Sequence, residues 1–133
     1  MRNARIAVFE DHHPTLDIIY MTLEDSPHEV VAEAYTRSDA FEVIAAIHAG
    51  EVLVSAVLLD GNLDNKEGIM FSDGRAIHER LRQYSTALPI IGISSNELAY
   101  EGIPIPQPLD IMKYRIPTLL VETLDQLPEP TLQ

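Results

Sequence analysis

Ala56-Val57-Leu58-Leu59-Asp60 is apolar through four residues and stops on a carboxylate. The same texture recurs in Arg5 to Glu10 (RIAVFE) and in Pro89 to Ser94 (PIIGIS). A strand with one wet face alternates polar and apolar residues, so runs this continuously apolar belong to strands covered on both faces. Helical spacing fills the intervals. His13-Pro14 opens a helix, because proline is tolerated in a first turn, and Leu16, Ile19, Tyr20 and Leu23 form its core-facing stripe. Val30 to Tyr35 reads as a second strand. Ser38 is the expected N-cap of a helix carrying Phe41, Ile44, Ala45 and His48, with Gly50 as its terminator. A polar loop, Gly61 to Asp73, precedes a helix with Ile77, Leu81 and Tyr84 on one face. Asn96 to Tyr100 reads as a short helical turn, and the proline-rich stretch Gly102 to Pro108 has no regular reading. Asp110 to Lys113 is the expected fifth strand. Pro117 to Leu127 is the expected last helix, with Leu120, Leu124 and Leu127 facing inward.

Strands of this kind separated by helices predict an α/β architecture, a five-stranded parallel sheet with helices on both faces. With 133 residues and no interdomain linker, one domain over 1–133 is expected, its core at about 5–127 and a short tail at 128–133. Right-handed crossovers bring the C-terminal ends of the strands to one edge, which is where open sheets bind ligands.

Composition narrows the chemistry at that edge. The chain has no cysteine, so thiolate metal cages, disulfides and cysteine nucleophiles are excluded. A formal charge of −12, with no cluster of lysines and arginines, disfavours direct nucleic-acid binding. The apolar stretch near the N-terminus is too short to span a membrane and lacks a signal-peptide pattern, so a cytoplasmic location is expected.

The residues that finish the strands are Glu10 and Asp11, Asp60, Ser94 and Lys113. Three carboxylates drawn together raise one another's pKa unless a cation sits among them. Carboxylate oxygens suit a hard ion such as Mg²⁺, which takes one or two protein carboxylates together with water and a phosphate oxygen. A lysine ammonium and a serine hydroxyl at the same edge fit the remaining phosphoryl oxygens, and an aspartate can serve as the nucleophile.

On these residues the chain resembles the receiver domains of two-component response regulators, over about Arg5 to Leu127. RIAVFEDHHP is similar to the first strand and acidic pair of NarL/FixJ-type receivers, and HEVVAEAYTRSDAFEVI is similar to their second strand and helix. AVLLDGNL resembles the strand of the phospho-accepting aspartate, PIIGISS the strand ending in serine or threonine, and DIMKY the strand with the lysine. The resemblance implies a flavodoxin-like (CheY-like) fold with Asp60 as phospho-acceptor. It implies Mg²⁺ on Glu10, Asp11, Asp60 and the backbone carbonyl of Asn62, with Ser94 and Lys113 on the phosphoryl oxygens. It further implies a sensor histidine kinase or phosphotransfer protein as donor, and a surface that switches toward a partner or a homodimer. No turnover is expected beyond slow autodephosphorylation. The helix-turn-helix output domain usual in that subfamily is not expected within these residues.

The sequence departs from the family pattern in four places. Tyr114 stands where a cis-proline follows the lysine, and a non-proline cis bond costs roughly 2.5–4 kcal/mol, so a trans bond is expected. Asp110 replaces the usual aromatic switch residue, the loop after Asp60 is long, and the helix between the fourth and fifth strands is short and proline-rich. These differences leave open a degenerate receiver, a docking module that works without phosphorylation. Asp11-His12-His13 matches the start of the DHH phosphoesterase signature, but the further acidic motifs of that family are missing. The haloacid dehalogenase group needs an aspartate two residues after the nucleophile, where this chain has Asn62.

Overall fold

Alternate residues of the inner strands belong to two different cores. The computed structural model describes residues 1–61, 63, 72–94 and 111–130, the side chains of Ser72 and Ser94 excepted. The strands are β1 (Arg5–Phe9), β2 (Glu29–Ala34), β3 (Ala56–Asp60), β4 (Ile90–Ser94) and β5 (Ile111–Met112). Ile6, Val8, Ala56, Leu58, Ile91 and Ile93 face one side of the sheet. They pack with Leu16, Ile19 and Leu23 of α1 (His13–Leu23) and with Leu120 and Leu124 of α4 (Ile116–Gln126). Ala7, Phe9, Val57, Leu59 and Ile90 face the other side, against Ile44 and Ile47 of α2 (Arg37–His48) and Ile77 and Leu81 of α3 (Ser72–Tyr84). This two-sided burial is why the strands read as unbroken apolar runs.

The sheet is parallel throughout, in the order β2-β1-β3-β4-β5. The fold is flavodoxin-like, as expected. The chain steps outward from β1 to β2, returns to β3 on the other side of β1, and continues to β4 and β5. The order therefore reverses beside β1, which opens a crevice between the C-terminal ends of β1 and β3. Phe9 pairs with Leu59, and Asp60 with Ile93, so Glu10 and Asp60 emerge at the same level of that edge. Among the described residues no helix is long and apolar enough to cross a membrane.

Several local expectations shift. Thr36, not Ser38, is the N-cap of α2, its hydroxyl accepting the Asp39 N–H at 3.0 Å. The buried stripe is then Ala40, Ile44 and Ile47, while Ala45 and His48 are exposed and Phe41 lies at the flank beneath the Arg80 guanidinium. Tyr20 and Tyr84 are also corrected outward. Tyr20 is 46% exposed and hydrogen-bonds Glu33, and Tyr84 meets the edge of His48. Gly50 ends α2 as expected, with φ +76, a left-handed backbone that a Cβ opposes. β2 starts one residue earlier than expected. β5 is two residues long, and Lys113 already opens a 3₁₀ turn, Lys113–Arg115, with Tyr114 77% exposed. Asp110 and the stretches Asn96 to Tyr100 and Gly102 to Pro108 lie outside the described residues.

Candidate functional site

Glu10 follows the last residue of β1, and its N–H still bonds the Ala34 carbonyl at 3.1 Å, so the backbone holds strand geometry as the side chain reaches the crevice. That side chain is fully buried. Its Oε1 accepts the His12 N–H at 3.0 Å and Lys113 Nζ at 3.1 Å, while Oε2 is buried with no hydrogen-bond partner among the described residues. Asp60, 7% exposed, ends β3. Its Oδ1 accepts the Gly61 N–H at 2.8 Å, and its Oδ2 accepts Lys113 Nζ at 3.3 Å. Asp11 is exposed at the mouth. One carboxylate oxygen from each of Glu10, Asp11 and Asp60 lies within 4.8 Å of the others.

The electrostatics follow from this crowding. Burial, and then the charge of Asp60, raise the Glu10 carboxyl to about 7, against the opposing effect of Lys113 and the His12 N–H. Burial also pushes Asp60 upward, with Lys113 opposing. Burial by itself lowers the Lys113 ammonium, but Asp60 and Glu10 outweigh it and the net shift is upward. With all groups ionised, three carboxylates face one ammonium, a surplus that one divalent cation neutralises. A bare proton on Glu10 relieves the surplus only in part. The donor set is hard oxygen throughout, and Oε2 of Glu10 supplies a lone pair that no described residue engages, so the residues fit a hard divalent cation.

The structure thus brings together Glu10, Asp11, Asp60 and Lys113. Ser94 ends β4 at the same edge, paired with Met112 beside Lys113, though its side chain lies outside the described residues, as does Asn62. His12 and His13 serve the start of α1. His12 precedes the helix with Nδ1 2.8 Å from Thr15 Oγ1, and the His13 ring stands 5.7 Å from that of Tyr35. Sequence reasoning passed over Arg37 and Asp73, which pair at 3.0 Å beside the site. The available signal was Asp73-Gly74 at a helix start, which brings an acid and a close-approach residue back toward the end of β3.

No protein-family model matches the chain, and no curated protein sequence matches it. Solved structures do. The response regulator RcsB of Salmonella typhimurium is 19% identical with a TM-score of 0.71, over 97% of this chain and 65% of that one. This chain therefore spans just under two thirds of RcsB. The phosphorylated cyanobacterial phytochrome response regulator RcpA is 19% identical with a TM-score of 0.75, over 97% of this chain and 99% of that one. The Mn²⁺-bound form of the response regulator Rcp1 is 15% identical with a TM-score of 0.70, over 96% and 99%. The fold is that of response-regulator receiver domains.

Proposed function

We propose that this chain is a receiver of two-component signalling and that Asp60 takes a phosphoryl group from the phosphohistidine of a sensor kinase or phosphotransfer protein. The observation that carries this reading is the meeting of Glu10, Asp11 and Asp60 within 4.8 Å, with Lys113 Nζ 3.1 Å from Glu10 and 3.3 Å from Asp60. An Asp60 carboxylate oxygen attacks phosphorus, the P–N bond breaks, and its electron pair returns to the donor imidazole, which takes up a proton from water. An acyl phosphate is left on Asp60. Glu10, Asp11 and Asp60 are the side chains that would hold Mg²⁺, with the Asn62 carbonyl as the further ligand that the family resemblance implies. When bound, that ion supplies positive charge to the phosphoryl oxygens. The metal-bound form of Rcp1, a protein of the same fold, supports a divalent ion here.

Lys113 approaches from the β5 side and neutralises the oxygens that gather on Asp60. Ser94, at the end of β4, is the hydroxyl donor to the same group. The new charge of about −1.5 to −2 draws on Ser94 and Lys113 and switches a surface toward a partner or a second copy of the chain. In this role the protein is a cytoplasmic phospho-acceptor, with at most slow autodephosphorylation and no direct contact with nucleic acid.

Incubation with acetyl phosphate and Mg²⁺, followed by intact-mass measurement, tests the reading. One phosphoryl group is gained by the wild type, and none by Asp60→Asn or after chelation of the metal. No gain at any Mg²⁺ concentration assigns the chain instead to phosphorylation-independent docking.

A further inference from the structure

The first turn of α3 is tied at two points to the chain just past Asp60. The Gly74 N–H donates to the Gly61 carbonyl at 2.9 Å, and the Leu63 N–H donates to Asp73 Oδ2 at 3.0 Å. The approach is close enough that a Cβ on Gly74 would stand 2.8 Å from Gly61 Cα and 3.0 Å from the Asp60 carbonyl oxygen. The other oxygen of Asp73 accepts Arg37 Nε at 3.0 Å, from the first residue of α2. Asp73 is 2% exposed, so its carboxylate is sheltered from water and both of its oxygens are engaged by protein donors. Gly61 in turn gives its N–H to Asp60 Oδ1 at 2.8 Å. Bonds therefore run from Arg37 through Asp73 to Leu63, and from Gly74 through Gly61 to the Asp60 carboxylate.

Helices α2 and α3 already share Ile44, Ile47, Ile77 and Leu81 in one core, so they do not depend on the Arg37–Asp73 pair to stay together. What the pair does fix is the backbone immediately after Asp60. We infer that Arg37 and Asp73 are positioning residues that set how tightly the acid cluster holds a divalent cation. They act through the Leu63 N–H that Asp73 holds and through the first turn of α3 that Asp73 shares with Gly74, and touch neither cation nor phosphoryl group. The inference rests on the divalent-cation part of the receiver reading and deepens it. A small cation tolerates little drift in its oxygens, and losing a group that orients a ligand typically weakens binding by about 10- to 100-fold.

Titration of the full chain with Mn²⁺, with free ion followed by electron paramagnetic resonance, tests this. Arg37→Gln and Asp73→Asn each weaken Mn²⁺ binding by about tenfold or more. The double variant is no weaker than the worse single one, because the two residues act as a unit. Arg37→Lys recovers part of the loss. Ile44→Val, in the core beneath the same two helices, lowers Tm and leaves the Mn²⁺ Kd unchanged. Arg37→Gln decides the matter if Asp73→Asn does not fold. Wild-type affinity in both single variants, or no Mn²⁺ binding by the wild type, overturns the inference. Failure of the receiver reading is separable. A wild type that resists acetyl phosphate while the variants lose Mn²⁺ affinity removes phosphorylation and keeps the clamp. A phosphorylated wild type with unaffected variants does the reverse.

Discussion

Glu10 has no exposed surface, shares Lys113 with Asp60, and has a folded pKa of about 7 against an ordinary 4.5. The folded chain therefore holds that proton more tightly than the unfolded chain does. The stabilisation is complete below 4.5 and is lost as pH rises to about 7. Asp60 shifts in the same direction. Lys113 is raised, so the stability from its pairing is present below 10.5 and is lost as pH rises through its folded value. In metal-free protein the urea midpoint falls as pH rises from about 4.5 to about 7, and Glu10→Gln, uncharged at any pH, flattens the fall. A variant with an undiminished fall contradicts this assignment. The same proton competes with a cation, so Mn²⁺ affinity in the wild type climbs with pH and levels off above about 7. Glu10, Asp60 and Lys113 were legible in the sequence because each sits where a strand stops, and a parallel sheet sends all such positions to one edge. Ser94 was legible only as a strand end.

The helices contain both the clearest and the least legible features. Gly50 and Gly74 are both helix-terminal glycines, required for different reasons. Gly50 has φ +76 with open space around its missing Cβ, so Gly50→Ala costs about 1 kcal/mol of backbone strain and leaves Mn²⁺ binding intact. Gly74 faces backbone atoms of Asp60 and Gly61 that cannot give way, so Gly74→Ala costs about 1–3 kcal/mol and also slows phosphorylation by acetyl phosphate. Urea melts and a phosphorylation time course separate the two. A wild-type phosphorylation rate in Gly74→Ala contradicts the close approach. The face of α2 was misread for a physical reason. Ala40, Phe41, Val43, Ile44, Ala45, Ala46 and Ile47 offer apolar residues in nearly every direction, and both Thr36 and Ser38 can cap. Tertiary packing chose the stripe, which local pattern cannot do. The Arg37–Asp73 pair spans 36 residues and exists because α2 and α3 share a sheet face, so Asp73-Gly74 is legible as a helix start while its partner Arg37 is not.

At the scale of the molecule, the topology follows from a few facts visible in the sequence. Unbroken apolar strands require cover on both faces, and crossover helices supply it. Once the order reverses beside β1, the ends of β1 and β3 lie at one crevice, and the sequence had placed acids at both. The formal charge of −12 makes cations gather everywhere on this protein, so bulk binding alone does not locate a site. Position does. Anomalous diffraction from crystals soaked in Mn²⁺ tests the central claim most directly. The account predicts a peak within coordinating distance of the Glu10, Asp11 and Asp60 carboxylates, on the crevice side facing Lys113. Density for manganese elsewhere on the acidic surface, with that crevice empty, contradicts it.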